Sequence, residues 1–260
     1  MKLTTTVLLL ISLSMSDIAI AHVNKAHTDT SNDKAIEIIP INEHIFMLRG
    51  EGGNIGVFDG DNHTILIDSQ FERTAEKVQE AIKSVSNKPL AYLINTHYHS
   101  DHTGGNPSFS EKGATVIAHE KTREILAATR DASAPNPRLP DYSDALLPYL
   151  TFSENLWLHE SKESIEIIHF PNAHTESDIA VFFTTSNVIH AGDLYFVGVT
   201  PFIDVKNGGT YDGYVAAMEA ILKRADENTI IIPGHGPLAT KEMMQRDYEE
   251  VASFDHTDID

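Results

Sequence analysis

Residues 95–105 read Asn95-Thr96-His97-Tyr98-His99-Ser100-Asp101-His102-Thr103-Gly104-Gly105. The apolar run just before them, Ala91-Tyr92-Leu93-Ile94, predicts a buried strand over Leu90–Thr96 that empties into the motif. Three imidazoles and a carboxylate inside a six-residue window are not core packing, because His and Asp are seldom buried together without a partner. Gly104-Gly105 then supplies the backbone freedom for a sharp turn around a bound ion. A lone His-x-His is a weak signal in a chain with 14 histidines, but His-x-His-x-Asp-His at a strand end is a strong one for metal ligation.

Outward from this stretch, three more residues are expected just past strand ends, in loops shaped by Gly or Pro. His174 follows a predicted strand Ser164–Phe170, Asp193 follows Asn187–His190 in Ala191-Gly192-Asp193, and His235 follows Thr229–Ile232 in Pro233-Gly234-His235-Gly236. A rigid sheet presents ligands to a pocket in this way. The remaining histidines read as solvated or structural: His22, His27 and His256 lie near the chain ends, and His44, His63, His119, His159, His169 and His190 have no comparable surroundings.

Further strands are predicted at Ile36–Ile39, His44–Leu48, Asn54–Phe58, Thr64–Asp68, Ala114–Ala118 and Ile179–Thr184. Helices are predicted at Glu72–Val85, Lys121–Thr129, Tyr211–Arg224 and Thr240–Val251, with Ala75, Val78, Ala81, Ile82 and Val85 on one face of the first. Each half is thus strands followed by mixed strand and helix, which predicts two sheets sandwiched between helices, an α+β architecture. Four prolines, Pro135, Pro137, Pro140 and Pro148, make residues 130–150 a surface loop. That loop either covers core edges or, through Leu139, Tyr142, Leu146, Leu147 and Tyr149, walls the metals together with the Gly50–Asn54 turn.

Composition sets outer bounds. The 260 residues, 41% hydrophobic, suffice for one core. Lys2, the run Val7-Leu8-Leu9-Leu10-Ile11 and the close Ala19-Ile20-Ala21 predict a secretory signal over residues 1–21. A flexible segment over 22–34 and one catalytic domain over 35–260 would follow, in the periplasm or outside the cell. No later segment is apolar enough to cross a membrane. With no cysteine, any metal is held by His and carboxylate. The formal charge is −19 from 38 acidic and 19 basic residues, and removal of Lys2 and Asp17 leaves it unchanged. Such a surface repels phosphate backbones and anionic lipids, so nucleic acid is an unexpected partner and a small-molecule substrate the expected one.

The motifs, in order and spacing, resemble those of the metallo-β-lactamase superfamily, over about Ile36 to Val251. The resemblance implies the four-layer αβ/βα sandwich, with His97, His99 and His174 on one zinc, Asp101, His102 and His235 on a second, and Asp193 bridging as in the glyoxalase II-like branch. Imidazole and carboxylate suit zinc, and also iron or manganese. Two zinc ions lower the pKa of water to about 7, so the implied reaction is attack of a bridging hydroxide on a carbonyl, with Asp101 orienting the nucleophile. The ester, thioester, lactone and β-lactam classes all fit that chemistry. A metal-binding protein on a non-catalytic hydrolase scaffold is the alternative.

Departures from the pattern narrow the substrate. Glyoxalase II-like thioesterases carry a C-terminal helical domain, whereas 25 residues follow His235 here. A major β-lactamase branch has Cys at the bridging position and Lys three residues later, where this chain has Asp193 and Phe196. The inserted domain and basic surface of the superfamily's nucleases, and the flavin domain of its oxygen reductases, are not expected. Pro201-Phe202-Ile203-Asp204 and Gly208-Gly209 resemble an exported bacterial branch of hydrolases.

Overall fold

The computed structural model describes residues 35–131, 144–160 and 162–254. The expected signal and the segment 22–34 lie outside the described residues, as do Leu139 and Tyr142.

The chain opens with a meander: β1 (Glu37–Pro40), β2 (Ile45–Arg49), β3 (Ile55–Asp59) and β4 (Thr64–Ile67) pair antiparallel in sequence order. After helix α1 (Ala75–Val85) the sheet continues in parallel through β5 (Leu90–Ile94). Two short helices, α2 (Ser100–Thr103) and α3 (Asn106–Ser110), precede β6 (Thr115–His119). Helix α4 (Glu120–Asp131) leads on, and β7 (Leu150–Phe152) closes a seven-stranded sheet. The second sheet has β8 (Asn155–Glu160), β9 (Glu163–His169), β10 (Ile179–Phe183) and β11 (Val188–Phe196) antiparallel. Helix α5 (Tyr211–Arg224) crosses to β12 (Ile230–His235), parallel to β11, and β13 (Ala239–Thr240) and α6 (Lys241–Ala252) follow.

The inner strands of both sheets are covered on both faces, which is why β3, β4, β10 and β11 are apolar nearly throughout. The two-residue side-chain period divides each strand between two cores. Ile65 and Ile67 of β4, with Met47, Phe58, Ile94 and Ile117, face Ile167, Val181 and Phe183 of the second sheet. Leu66, with Leu48, Val57 and Leu93, faces away, onto Val78 and Ile82 of α1. On the far side Ala180, Phe182, Ile189 and Ile231 pack on Tyr214, Met218 and Ile221 of α5 and Met244 of α6. The order is helices, sheet, sheet, helices: the expected α+β sandwich. Thr210 and Thr240 cap α5 and α6 by accepting from the amides of Gly213 and Met243.

Three strands escaped the pattern: β7 and β13 are too short to show a period, and β8 carries Trp157 and His159 on its outer face. Asp193 does not follow its strand, as expected, but lies within it. Beta-11 runs on to Phe196 through register shifts around Gly192, whose φ of +53° lets the strand turn without ending. A Cβ at Gly192 would come within 2.7 Å of the Thr96 Cβ on the other sheet, so glycine also permits the close approach there. His235 likewise ends β12 rather than following it. Leu146 and Leu147 do not form the expected wall: both are buried against Tyr98 and Leu126, while Tyr149 is exposed.

Helix α6 is tied to β11 by one buried polar contact. The Tyr195 hydroxyl, fully buried, donates to Asp247 Oδ2 at 2.8 Å, and the Gly198 amide donates to the same oxygen at 3.2 Å. Asp247→Ala leaves that hydroxyl without its acceptor and should cost about 1–3 kcal/mol in urea denaturation. Adding Tyr195→Phe to Asp247→Ala should recover part of the loss; a purely additive double variant would show that the contact contributes nothing.

Candidate metal centre

The C-terminal ends of β5 and β9 and the ends of β11 and β12 meet at one edge of the sandwich. The turn after β5 carries His97 and His99, α2 carries Asp101 and His102, the turn after β9 carries His174, and β11 and β12 deliver Asp193 and His235. The Ile179 amide, donating to Thr96 O at 2.8 Å, and the Asn54 amide, donating to Gly234 O at 2.7 Å, lock the two sheets together beside the cluster. His97, His102 and His174 are buried, as is Asp193.

All seven side chains come together, in two groups: His97, His99, His174 and Asp193, and Asp101, His102 and His235. His99 Nδ1 lies 3.0 Å from both His97 Nε2 and His174 Nε2. Asp193 Oδ2 lies 3.6 Å from His97 Nε2 and 3.4 Å from His174 Nε2. The other oxygen, Asp193 Oδ1, faces the second group, 3.1 Å from His102 Nε2 and 3.5 Å from His235 Nε2. Asp101 Oδ2 completes that group at 3.5 Å from His102 Nε2 and 3.3 Å from His235 Nε2. A tetrahedral ion with ligands at ~2.0–2.1 Å has ligand–ligand edges of about 3.3 Å, so these separations fit two such ions.

Donor accounting gives the same answer. His99 donates its outer Nε2–H to Asp204 Oδ2 at 3.1 Å, and His174 its Nδ1–H to Phe202 O at 2.6 Å. His102 donates Nδ1–H to Asp68 Oδ2 at 2.7 Å. His97 donates Nδ1–H to Thr96 Oγ1 at 3.1 Å, and that hydroxyl donates on to Asp68 Oδ2. In the neutral tautomer each of these outer nitrogens carries the proton, which leaves the inner nitrogens of His97, His99 and His174 as lone pairs facing one another and that of His102 facing the second group. With the His102 ring neutral, its Nε2 and Asp193 Oδ1, 3.1 Å apart, are two buried acceptors with no donor, a costly arrangement that a cation held by the second group would relieve.

With protons as the only cations, the cluster is strained electrostatically. Burial holds His174 down at about 4, and burial and the His102 charge hold His97 well below the imidazole range. Burial also opposes charge on His102, but Asp193, Asp101 and Asp68 push it well above its ordinary value. At His235, burial is outweighed by the Asp101 and Asp193 carboxylates, which accept from its ring N–H and raise it to about 9. Burial likewise disfavours the Asp193 charge, yet the neighbouring His102 and His97 keep it well below the usual carboxylate range.

Sequence reading missed the residues behind the ligands. Asp68, fully buried with φ +65°, accepts from the Thr96 amide, the Thr96 hydroxyl and His102, so it orients both halves of the motif. Its one sequence signal was a carboxylate ending the apolar strand Thr64–Ile67. Asp204 accepts from His99, Tyr98 and Asn207, a network that no local spacing reveals. The expected Gly50–Asn54 wall is instead a brace: a Cβ at Gly53 would clash with the His102 ring, and the Gly53 amide donates to Asp101 O. His190 sits inside β11, its ring occupied by Asn54 O and the Gly192 amide.

The chain has relatives in sequence and in fold. The chain is 28% identical over 184 residues to the hydroxyacylglutathione hydrolase of Pelagibacter ubique, which covers 67% of this chain and 66% of that protein. It is 24% identical over 186 residues to a type 2 metallo-beta-lactamase of Bacillus sp. (strain 170), covering 69% and 65% respectively. It thus spans about two thirds of the length of each. The fold superposes on a metallo-beta-lactamase from Pontibacter korlensis with a TM-score of 0.69 at 17% identity, covering 84% of this chain and 100% of that one. The family model described as the metallo-beta-lactamase superfamily matches residues 48–235, which hold both groups of the cluster, and the chain therefore belongs to that superfamily.

Proposed function

We propose that the protein is an exported hydrolase holding two zinc ions, which cleaves a carbonyl bond of the ester, thioester, lactone or β-lactam class. One observation carries the reading: the two oxygens of Asp193 face different histidine groups, so a single carboxylate is shared between two cation sites. In this reading His97, His99 and His174 hold one ion, Asp101, His102 and His235 the other, and Asp193 both. A bridging anion offsets the repulsion of two dications, which is large at such separations even after screening. The donor set has no thiolate and favours zinc, with iron or manganese also compatible. A cleft of about 860 Å³, lined in part by His99, Asp101, His174 and His235, opens the cluster to a small molecule; that access favours turnover over a merely metal-holding scaffold.

Bound ions would supply Lewis acidity toward water and toward the scissile carbonyl. The chain's own part is positional. Asp101, the cluster carboxylate most open to the cleft, orients the attacking water. Water's oxygen joins the carbonyl carbon, the bond to the leaving group breaks, and the leaving group departs with a proton. Asp68 and Asp204 fix the imidazoles so that none of this requires rearrangement.

Asp193→Ala should deplete the second metal most and lower hydrolysis by orders of magnitude with the fold intact, whereas Asp193→Cys should keep metal, since thiolate also ligates zinc. Metal analysis paired with assays on p-nitrophenyl esters, lactones, thioesters and a chromogenic cephalosporin decides it. One tightly held zinc in the wild type, unchanged in Asp193→Ala, would disprove the bridge.

Protons compete with metal at His235. Its folded pKa of about 9 exceeds the ordinary ~6.5, so in the metal-free protein the stabilisation from that proton is complete below ~6.5 and is lost as pH rises through about 9. Metal binding must expel the proton, so apparent affinity should rise up to about tenfold per pH unit below that value for each proton displaced. Titration calorimetry in two buffers of different ionisation enthalpy should show net proton release at pH 7; zero release would contradict the assignment.

Export is proposed from the leader residues alone: cleavage after Ala21 would leave His22 as the first residue. Intact-mass analysis of protein from the periplasm of a Gram-negative host should give that mass, and a cytoplasmic product starting at Met1 would refute it.

A further inference from the structure

The chain Pro201-Phe202-Ile203-Asp204 turns one apolar residue each way. Ile203 packs on the core beneath α5, whereas the Phe202 ring is 61% exposed and belongs to no core cluster. Its backbone is nonetheless fixed: Phe202 O accepts from His174 Nδ1 at 2.6 Å, and the Asp204 amide donates to His174 O at 2.8 Å. The ring is thereby held beside the cluster, with its centroid 5.8 Å from that of His174 and 6.1 Å from that of His99. Phe196 lies parallel to the His235 ring, 4° from coplanar at 5.4 Å, and edge-on to His174 at 5.8 Å. Ile125 and Ala128 of α4 line the same cleft. The Phe202 ring adds little to the core, and together with Phe196, Ile125 and Ala128 it gives the cleft beside the cluster a contiguous apolar wall that an apolar ligand group would cover.

We propose that Phe202, with Phe196, Ile125 and Ala128, recognises an apolar alkyl or aryl group on the acyl side of the scissile bond. The natural substrate is then, among the carbonyl classes proposed above, one with a hydrophobic acyl part. This rests on the carbonyl-hydrolase reading above, and its test is arranged so that the two fail separately. Each methylene buried against such a surface raises affinity about three- to fourfold.

In zinc-loaded protein, kcat/KM for p-nitrophenyl acetate, butanoate and hexanoate should climb with chain length. Phe202→Ala should flatten the slope, raising KM for the hexanoate about tenfold with zinc content unchanged, and Phe202→Leu should restore most of it. In parallel, calorimetric binding of acetate, butanoate, hexanoate and benzoate to the same proteins reads the surface without turnover. A slope that Phe202→Ala leaves intact, or wild-type binding that is flat across the carboxylates, overturns the proposal. If no ester is cleaved but carboxylate binding follows chain length and depends on Phe202, the apolar surface stands and the esterase reading falls.

Discussion

Three imidazole lone pairs aimed at one point repel each other, and this constraint organises the site. His99 Nδ1 stands 3.0 Å from two other ring nitrogens whose rings, when neutral, carry the proton on the outer side, and beside them Asp193 Oδ1 and a neutral His102 Nε2 are buried acceptors without a donor. Such an arrangement persists only if its surroundings leave it no alternative. The surroundings here are the outer hydrogen bonds: Asp68 through Thr96 and His102, Asp204 through His99, and Phe202 O through His174. A cation at that point would convert the repulsion into attraction.

The sandwich makes those outer partners rigid. Asp68 closes β4 and lies next to β5 in the same sheet, so its carboxylate meets the motif by strand pairing rather than by loop chance. The second sheet contributes through β11, whose bulge at Gly192 carries Asp193 into contact with both groups, and through β12, whose last residue is His235. The glycines do spatial work at this junction. Gly192 lets Thr96 approach, and Gly53 lets the β2–β3 turn lie flat on the His102 ring.

The cleft has a different character from the cluster it serves. The cluster is polar, buried on the side of His97, His102 and Asp193, and overdetermined by hydrogen bonds. The rim formed by Phe196 and Phe202 is apolar, and Phe202 is partly solvated, yet its backbone is bonded to a member of the cluster. Recognition and chemistry are thus mechanically joined through His174, so a change in the Phe202 side chain can alter binding while its carbonyl keeps the imidazole in place.

The seven clustered residues were legible in the sequence because each belongs to a local pattern: a dense His/Asp motif after an apolar run, or a Gly- or Pro-flanked polar residue near a strand. The four-layer class followed from strand and helix periods, and the two covered sheets explain why the inner strands read as nearly continuous apolar runs. Only the tertiary structure could supply Asp68 and Asp204, because their partners are 28 to 34 and 105 residues away and no spacing records a contact across strands or between sheets. It also placed Asp193 inside β11 and Leu146 in the core rather than over the cleft, since bulges and side-chain direction depend on what packs opposite. The sequence alone determined which chemical groups are present and which of them sit near strand ends; the fold decided which lone pairs face one another, because that depends on the register of two sheets meeting at one edge.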